Sequence, residues 1–149
     1  SDVYKRQGHP REQTLAALRW LQDKDITVRG HALVWGGREN LPASIHPLLR
    51  DPSALQQRIL EHIREAVSLT RGLVAEWDVV NEPRQHNLAY GVLGPQSAAA
   101  WFRSAREADP HAKLFVNEFD LLVTRDAPHP NHRQFLDYLA ALQAEGAPI

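Results

Sequence analysis

The chain is constrained above all by a repeated change of hydrophobic period. Apolar residues recur at helical spacing, then at a spacing of two, and the switch happens again and again along the 149 residues. From His9, with Pro10 suited to a first turn, Leu15, Leu18, Trp20 and Leu21 mark a helix reaching about Lys24. Ile26 to Trp35 then reads as a strand with His31, Leu33 and Trp35 on one face. Asp51 caps a second helix with Pro52 at its first position and Leu55, Ile59, Ile63 and Ala66 or Val67 inward, and Arg71-Gly72 ends it. Leu73 to Asn81 is the second strand. Pro95 opens a third helix with Ala98, Trp101 or Phe102, and Ala105 inside, closed by Asp109-Pro110. Lys113 to Phe119 is the third strand. A last helix carries Phe135, Tyr138, Leu139 and Leu142, with Gly146 as its C-cap, and Ala147-Pro148-Ile149 reads as the start of a fourth strand.

Such alternation means parallel strands joined by helical crossovers, an α/β fold. The connections are asymmetric. Those after strands (Gly36 to Arg50, Pro83 to Gly94, Asp120 to Pro130) run long, and those after helices (Arg71-Gly72, His111-Ala112) are short. Barrels of the (β/α)₈ type build their sites from the loops that follow strands, and doubly wound sheets obey a similar rule. No G-x-G-x-x-G or P-loop pattern favours a nucleotide fold. A closed barrel needs about 200 to 250 residues. The expectation is therefore a partial (β/α)₈ TIM barrel over residues 8–149, covering about three strands with their flanking helices. Ser1 to Gln7 fits neither pattern and resembles the read-through of a sequencing-library adaptor, so it is expected to be a non-native extension.

Composition removes several classes of function. Seventeen basic against eighteen acidic residues give a net charge of −1, too weak a field to hold nucleic acid or an anionic membrane. No run approaches the roughly 20 apolar residues of a membrane span. With no cysteine there is no disulfide, thiolate metal site or cysteine nucleophile. His129-x-x-His132 has no further ligands at fixed spacing and reads as capping or solvated histidines, so no metal or other cofactor is expected.

The chemistry-bearing stretch is Trp77-Asp78-Val79-Val80-Asn81-Glu82-Pro83, a β-branched run that closes on an Asn-Glu pair and is stopped by proline. Alternation puts Asp78, Val80 and Glu82 on one face, with Asp78 below Glu82. Two carboxylates so placed compete for one proton, which suits a general acid, yet spacing alone leaves a capped or salt-bridged strand end equally open. His31-x-x-x-Trp35 offers an imidazole and an indole on one face, either a sugar-stacking platform or a core pair. Lys113 to Asp120 repeats the gathering of polar residues at a strand end, with Asn117, Glu118 and Asp120.

Three motifs in order, Arg29-Gly30-His31-Ala32-Leu33-Val34-Trp35, Trp77 to Glu82, and Ala105 to Glu118, resemble the signatures of family 10 glycoside hydrolases, the endo-1,4-β-xylanases. The resemblance runs from about Gly8 to Ile149 and implies strands three, four and five of a (β/α)₈ barrel. It implies Glu82 as general acid/base, Asn81 hydrogen-bonding a sugar 2-hydroxyl, His31 and Trp35 lining the adjacent subsite, and Asp78 and Asn117 in support. It also implies a polysaccharide or oligosaccharide substrate, most of all xylan, a secreted or periplasmic location, and a nucleophilic glutamate on strand seven, outside this chain. The isolated 149 residues are then expected to be inactive. A non-catalytic carbohydrate-binding barrel is the alternative. Gly36-Gly37-Arg38-Glu39-Asn40 stands where the family pattern has His-Ser-Gln, Pro83 follows Glu82 where a small residue is usual, and Glu118-Phe119-Asp120 replaces Asp-Tyr-Asn. These departures put the sugar specificity, more than the reaction class, in question.

Overall fold

The computed structural model describes residues 11–86, 88–94, 96–122 and 129–149. The expectations for Ser1 to Gln7, for Pro10 and Pro95 as helix openers, and for most of the loop from Asp120 to Pro130 fall outside the described residues. In chain order the elements are α1 (Arg11–Gln22), β1 (Arg29–Trp35), a 3₁₀ segment (Ala43–Arg50), α2 (Pro52–Leu69), β2 (Glu76–Asn81), α3 (Leu88–Leu93), α4 (Ser97–Ala108), β3 (Lys113–Asn117) and α5 (Pro130–Ala144).

The strands form one parallel sheet in the order β1-β2-β3. Arg29, Glu76 and Lys113 stand level at the strand starts, and Trp35, Asn81 and Asn117 stand level at the ends. A register irregularity falls between His31 and Val34 on β1 and between Asp78 and Val80 on β2, so strict two-residue alternation does not carry to the strand ends. β2 is the middle strand, covered on both faces, and five of its six residues are buried. Gly30 lets Trp77 lie across β1, since a Cβ there would sit 2.3 Å from the indole ring.

α2 shows how the sequence writes a crossover. The Asp51 carboxylate accepts from the Ala54 amide at 3.0 Å, Pro52 sits in the first turn, and Leu55, Ile59, Ile63, Ala66 and Val67 are buried. Its C-terminus closes where the Thr70 hydroxyl donates to the Ala66 carbonyl at 2.9 Å and Gly72 turns left-handed at φ +76°. α4 packs beside it, with Trp101 Nε1 donating to Gln56 Oε1 at 2.9 Å. Trp101, Phe102, Val79 and Val80 are fully enclosed in the resulting core.

Four expectations need correction. Trp20 is 58% exposed, because it lies about 200° around the helix from the buried Leu18 and cannot share its face. β1 begins at Arg29 rather than Ile26, which is exposed, since ladder pairing starts at Arg29 with Glu76. The first two long loops are partly helical, holding the 3₁₀ segment and α3. Ala147 to Ile149 forms no strand; the Ala147 amide turns back to the Leu142 carbonyl at 2.9 Å, and Ile149 to Ala147 at 3.0 Å. On α5 Leu142 is buried, while Phe135, Tyr138 and Leu139 are half-buried. Among the described residues no helix is long and apolar enough to cross a membrane.

Candidate active site

All six expected site residues lie on the three strands or one residue beyond, and all but Asp78 and His31 belong to the carboxyl ends. Asn81, fully buried, accepts through Oδ1 from Asn117 Nδ2 at 2.8 Å, which locks the ends of β2 and β3 together. Its own amide nitrogen is buried and without a hydrogen-bond partner. An enclosed donor left unpaired costs about 1–3 kcal/mol. The Trp35 indole nitrogen is in the same condition. The two unfulfilled donors thus lie on paired positions at adjacent strand ends.

Glu82 follows directly and adopts φ +51°, a left-handed conformation uncommon for a residue with a Cβ. The strain is held in place from both sides. The Glu82 amide donates to the Asn117 carbonyl at 2.8 Å, and the Glu82 carbonyl accepts from the His86 amide at 2.9 Å. This turn throws the Glu82 carboxylate out of the sheet alternation and toward the His86 ring, 3.3 Å from Nε2, with its side chain 18% exposed. Strain of this kind gathers at functional sites.

Asp78 does not pair with Glu82. One carboxylate oxygen is bound by the Arg29 guanidinium, and the other sits 2.9 Å from His31 Nδ1. The hydrogen bond to Asp78 is the main reason that the Arg29 guanidinium holds its proton more tightly than usual, and its plane lies 4.0 Å above the Phe115 ring. Asp78 is therefore a buried anchor that orients the half-exposed His31. The His31 ring meets Trp35 edge-on with centroids 5.8 Å apart, so the expected shared face exists. Trp35 in turn meets His86 edge-on at 5.9 Å.

Glu118 is spent on structure: its oxygens accept from the Arg84 amide at 3.2 Å and the Phe119 amide at 3.0 Å, and its side chain is fully enclosed. His129 caps α5 by accepting from the Asn131 amide at 3.2 Å, and His132 bonds the Leu121 carbonyl, so this pair of histidines works as turn and cap. His62 lines a cavity of about 270 Å³ on the α2 side of β1 along with His31 and Trp35; burial, then the nearby Arg58, pushes its imidazole toward the neutral form. Beneath the loop after β2, Tyr138 donates to Tyr90 across 3.1 Å, and burial pushes the Tyr138 phenol up to about 12.

Sequence reasoning missed His86 and Arg84, and met Glu39 only within a departure from the family pattern. All three sit in aperiodic loops, where the length of the loop was the only signal for His86 and Arg84.

Three parallel strands in sequential order, with helical crossovers and polar side chains gathered where the strands end, define a segment of a (β/α)₈ barrel. The chain belongs to Glycosyl hydrolase family 10, whose sequence profile matches residues 9–149. It is 34% identical over 142 residues to Endo-1,4-beta-xylanase A of Caldicellulosiruptor sp. (strain Rt8B.4), covering 84% of this chain and 20% of that protein. It is 31% identical over 110 residues to Endo-1,4-beta-xylanase 3 of Hypocrea jecorina (strain QM6a), covering 70% of this chain and 31% of that protein. Among solved structures, native xylanase 10B from Thermotoga maritima superposes with a TM-score of 0.79 at 28% identity, covering 95% of this chain and 44% of that one. Xylanase 10B from Thermotoga petrophila RKU-1, in complex with xylobiose, gives 0.75 at 28% identity, covering 88% and 40%. The chain thus spans less than half the length of each of these proteins.

Proposed function

We propose that this chain forms part of a retaining glycoside hydrolase that cleaves β-1,4-linked xylan, with Glu82 as its general acid/base. The observation that carries the reading is the end of β2, where Glu82, held in a left-handed backbone conformation, follows an Asn81 whose amide nitrogen has no protein partner. Family membership and the xylanase names of the relatives support the substrate class.

In the first step the Glu82 proton passes to the glycosidic oxygen as the bond to the anomeric carbon breaks. A second carboxylate, about 5 to 5.5 Å from the first, attacks that carbon. In the second step Glu82 takes a proton from water, whose oxygen displaces the enzyme carboxylate, and is ready to act as acid again. Asn81 Nδ2 would donate to a sugar hydroxyl, and Asn117 fixes the Asn81 orientation by occupying its oxygen. Trp35 and His31 would form the wall of the adjacent subsite, with Asp78 holding the imidazole. The nucleophile is assigned to a part of the barrel other than these three strands, because Glu118 is committed to two backbone amides.

The full-length enzyme should release product whose anomeric configuration is that of the substrate. Following an aryl β-xylobioside by proton NMR, the β-anomer should appear first and the α-anomer only by mutarotation. Initial α-anomer would rule out retention. Sugar binding without turnover would support a carbohydrate-binding barrel instead.

A further inference from the structure

The loop after β1 and the loop after β2 meet through one side chain that the acid/base reading leaves unused. His86 has a carboxylate at each ring nitrogen: Glu82 Oε2 lies 3.3 Å from Nε2, and Glu39 Oε1 lies 2.7 Å from Nδ1. Asn40 Nδ2 stands 3.4 Å from Nδ1, and the Trp35 indole meets the ring edge-on. Among the described residues Glu39, from the β1 loop, and Glu82, from its own turn, are the charged groups in ion-pair range of His86. The glycines of the β1 loop make room for this contact. A Cβ at Gly36 would sit 2.8 Å from the His86 carbonyl, and one at Gly37 would sit 2.5 Å from Nδ1. The two loops are further tied by the Ala89 amide donating to the Gly36 carbonyl at 3.3 Å.

We propose that Glu39, His86 and Glu82 form a carboxylate–imidazole–carboxylate relay, in which His86 is a positioning residue that holds the acid/base and offers its proton a second seat. This inference rests on Glu82 being the acid/base. The hydrogen-bond inventory supplies the argument. A neutral imidazole has one donor and one acceptor nitrogen, whereas an imidazolium has two donors. With Nδ1–H turned to Glu39 Oε1, 2.7 Å away, the Asn40 amide keeps that same oxygen as its acceptor at 3.5 Å, and the Nε2 lone pair can accept the proton of a neutral Glu82 carboxyl. Moving that proton from Oε2 to Nε2 gives an imidazolium between two carboxylates. Both arrangements keep the imidazole between the two carboxylates and carry the same net charge, so the proton has two seats within the cluster. When Glu82 has delivered its proton to the leaving oxygen, Nε2 faces a carboxylate with no hydrogen between them. That arrangement favours Glu82 recovering a proton from water in the second step.

The test uses the full-length protein with ¹⁵N-labelled histidine, together with its Glu39→Gln, His86→Gln and Glu82→Gln variants. In the side-chain NMR spectrum, which needs no turnover, the His86 Nδ1 resonance should respond to Glu39→Gln and Nε2 to Glu82→Gln. Silence of both overturns the relay whether or not the protein is active. In steady-state kinetics on an aryl xylobioside, His86→Gln should lower kcat/KM by about tenfold and move the alkaline limb of its pH profile to lower pH, because the second seat is gone. Glu39→Gln changes a largely exposed side chain, spares the fold, and should move the same limb in the same direction by less. If Glu82→Gln abolishes activity while neither variant moves the limb, the relay fails and the acid/base assignment stands. If Glu82→Gln remains fully active, the acid/base assignment fails, and the catalytic part of the relay fails with it.

Discussion

Replacing Glu82 with Gln in the full-length enzyme should lower kcat/KM on xylan by about 10²–10⁴-fold and leave the fold intact. The amide has the size and backbone preferences of the acid, so the turn at φ +51°, held by the Asn117 carbonyl and the His86 amide, should persist. What disappears is the proton. Steady-state kinetics beside a thermal melt separates the two: unchanged melting with collapsed turnover is expected. The loss should also depend on the leaving group, large for a sugar alkoxide that must be protonated and small for a dinitrophenolate that need not be. An equal loss on both substrates would mean that Glu82 serves binding or structure.

The largest effect on stability is expected at Trp101, far from the chemistry. This indole is fully enclosed between α2 and α4, donates to Gln56 Oε1, and lies 5.2 Å from the Tyr90 ring on α3. Trp101→Ala removes the largest enclosed side chain among the described residues and leaves Gln56 without its donor, and such truncations cost about 3–5 kcal/mol. Chemical denaturation should show that loss in the free energy of unfolding. A consequence for the site follows from connectivity. Tyr90 sits on the loop that carries His86, and its neighbour Ala89 ties that loop to Gly36. At temperatures where the variant stays folded, activity should fall, but less than for Glu82→Gln. A change below 1 kcal/mol would mean that the α2–α4 seam is repacked easily and does not brace the loop.

The alternation of periods, the inward stripe of α2 and the cap at Asp51 were all legible because each is local: a carboxylate, a proline and a 3.6-residue repeat suffice. Glu82 was legible as the end of an apolar run closed by proline. Its left-handed turn was not, since that depends on the Asn117 carbonyl, 35 positions away. The expected Asp78–Glu82 pair failed for a related reason. Simple alternation ignores the irregularity between Asp78 and Val80, and nothing near Asp78 in sequence announces Arg29 and His31 as its partners. The contact of His86 with Glu39 was invisible because both stand in aperiodic loops and meet only when β1 and β2 lie side by side. Trp20 shows the opposite error, a large apolar residue counted with Leu15, Leu18 and Leu21 in one helical stripe when its phase points it out.

The assignment of Glu82 as the acid/base, rather than as a nucleophile or a binding group, is tested most directly by azide. In Glu82→Ala, a dinitrophenyl β-xylobioside should still transfer its sugar to the enzyme nucleophile, because its leaving group needs no proton. The glycosyl-enzyme then stalls for want of a base to activate water. Added azide, which needs no deprotonation and fits the space left by the side chain, should restore turnover and give the β-configured glycosyl azide. Turnover independent of azide, or an α-configured product, would contradict the assignment.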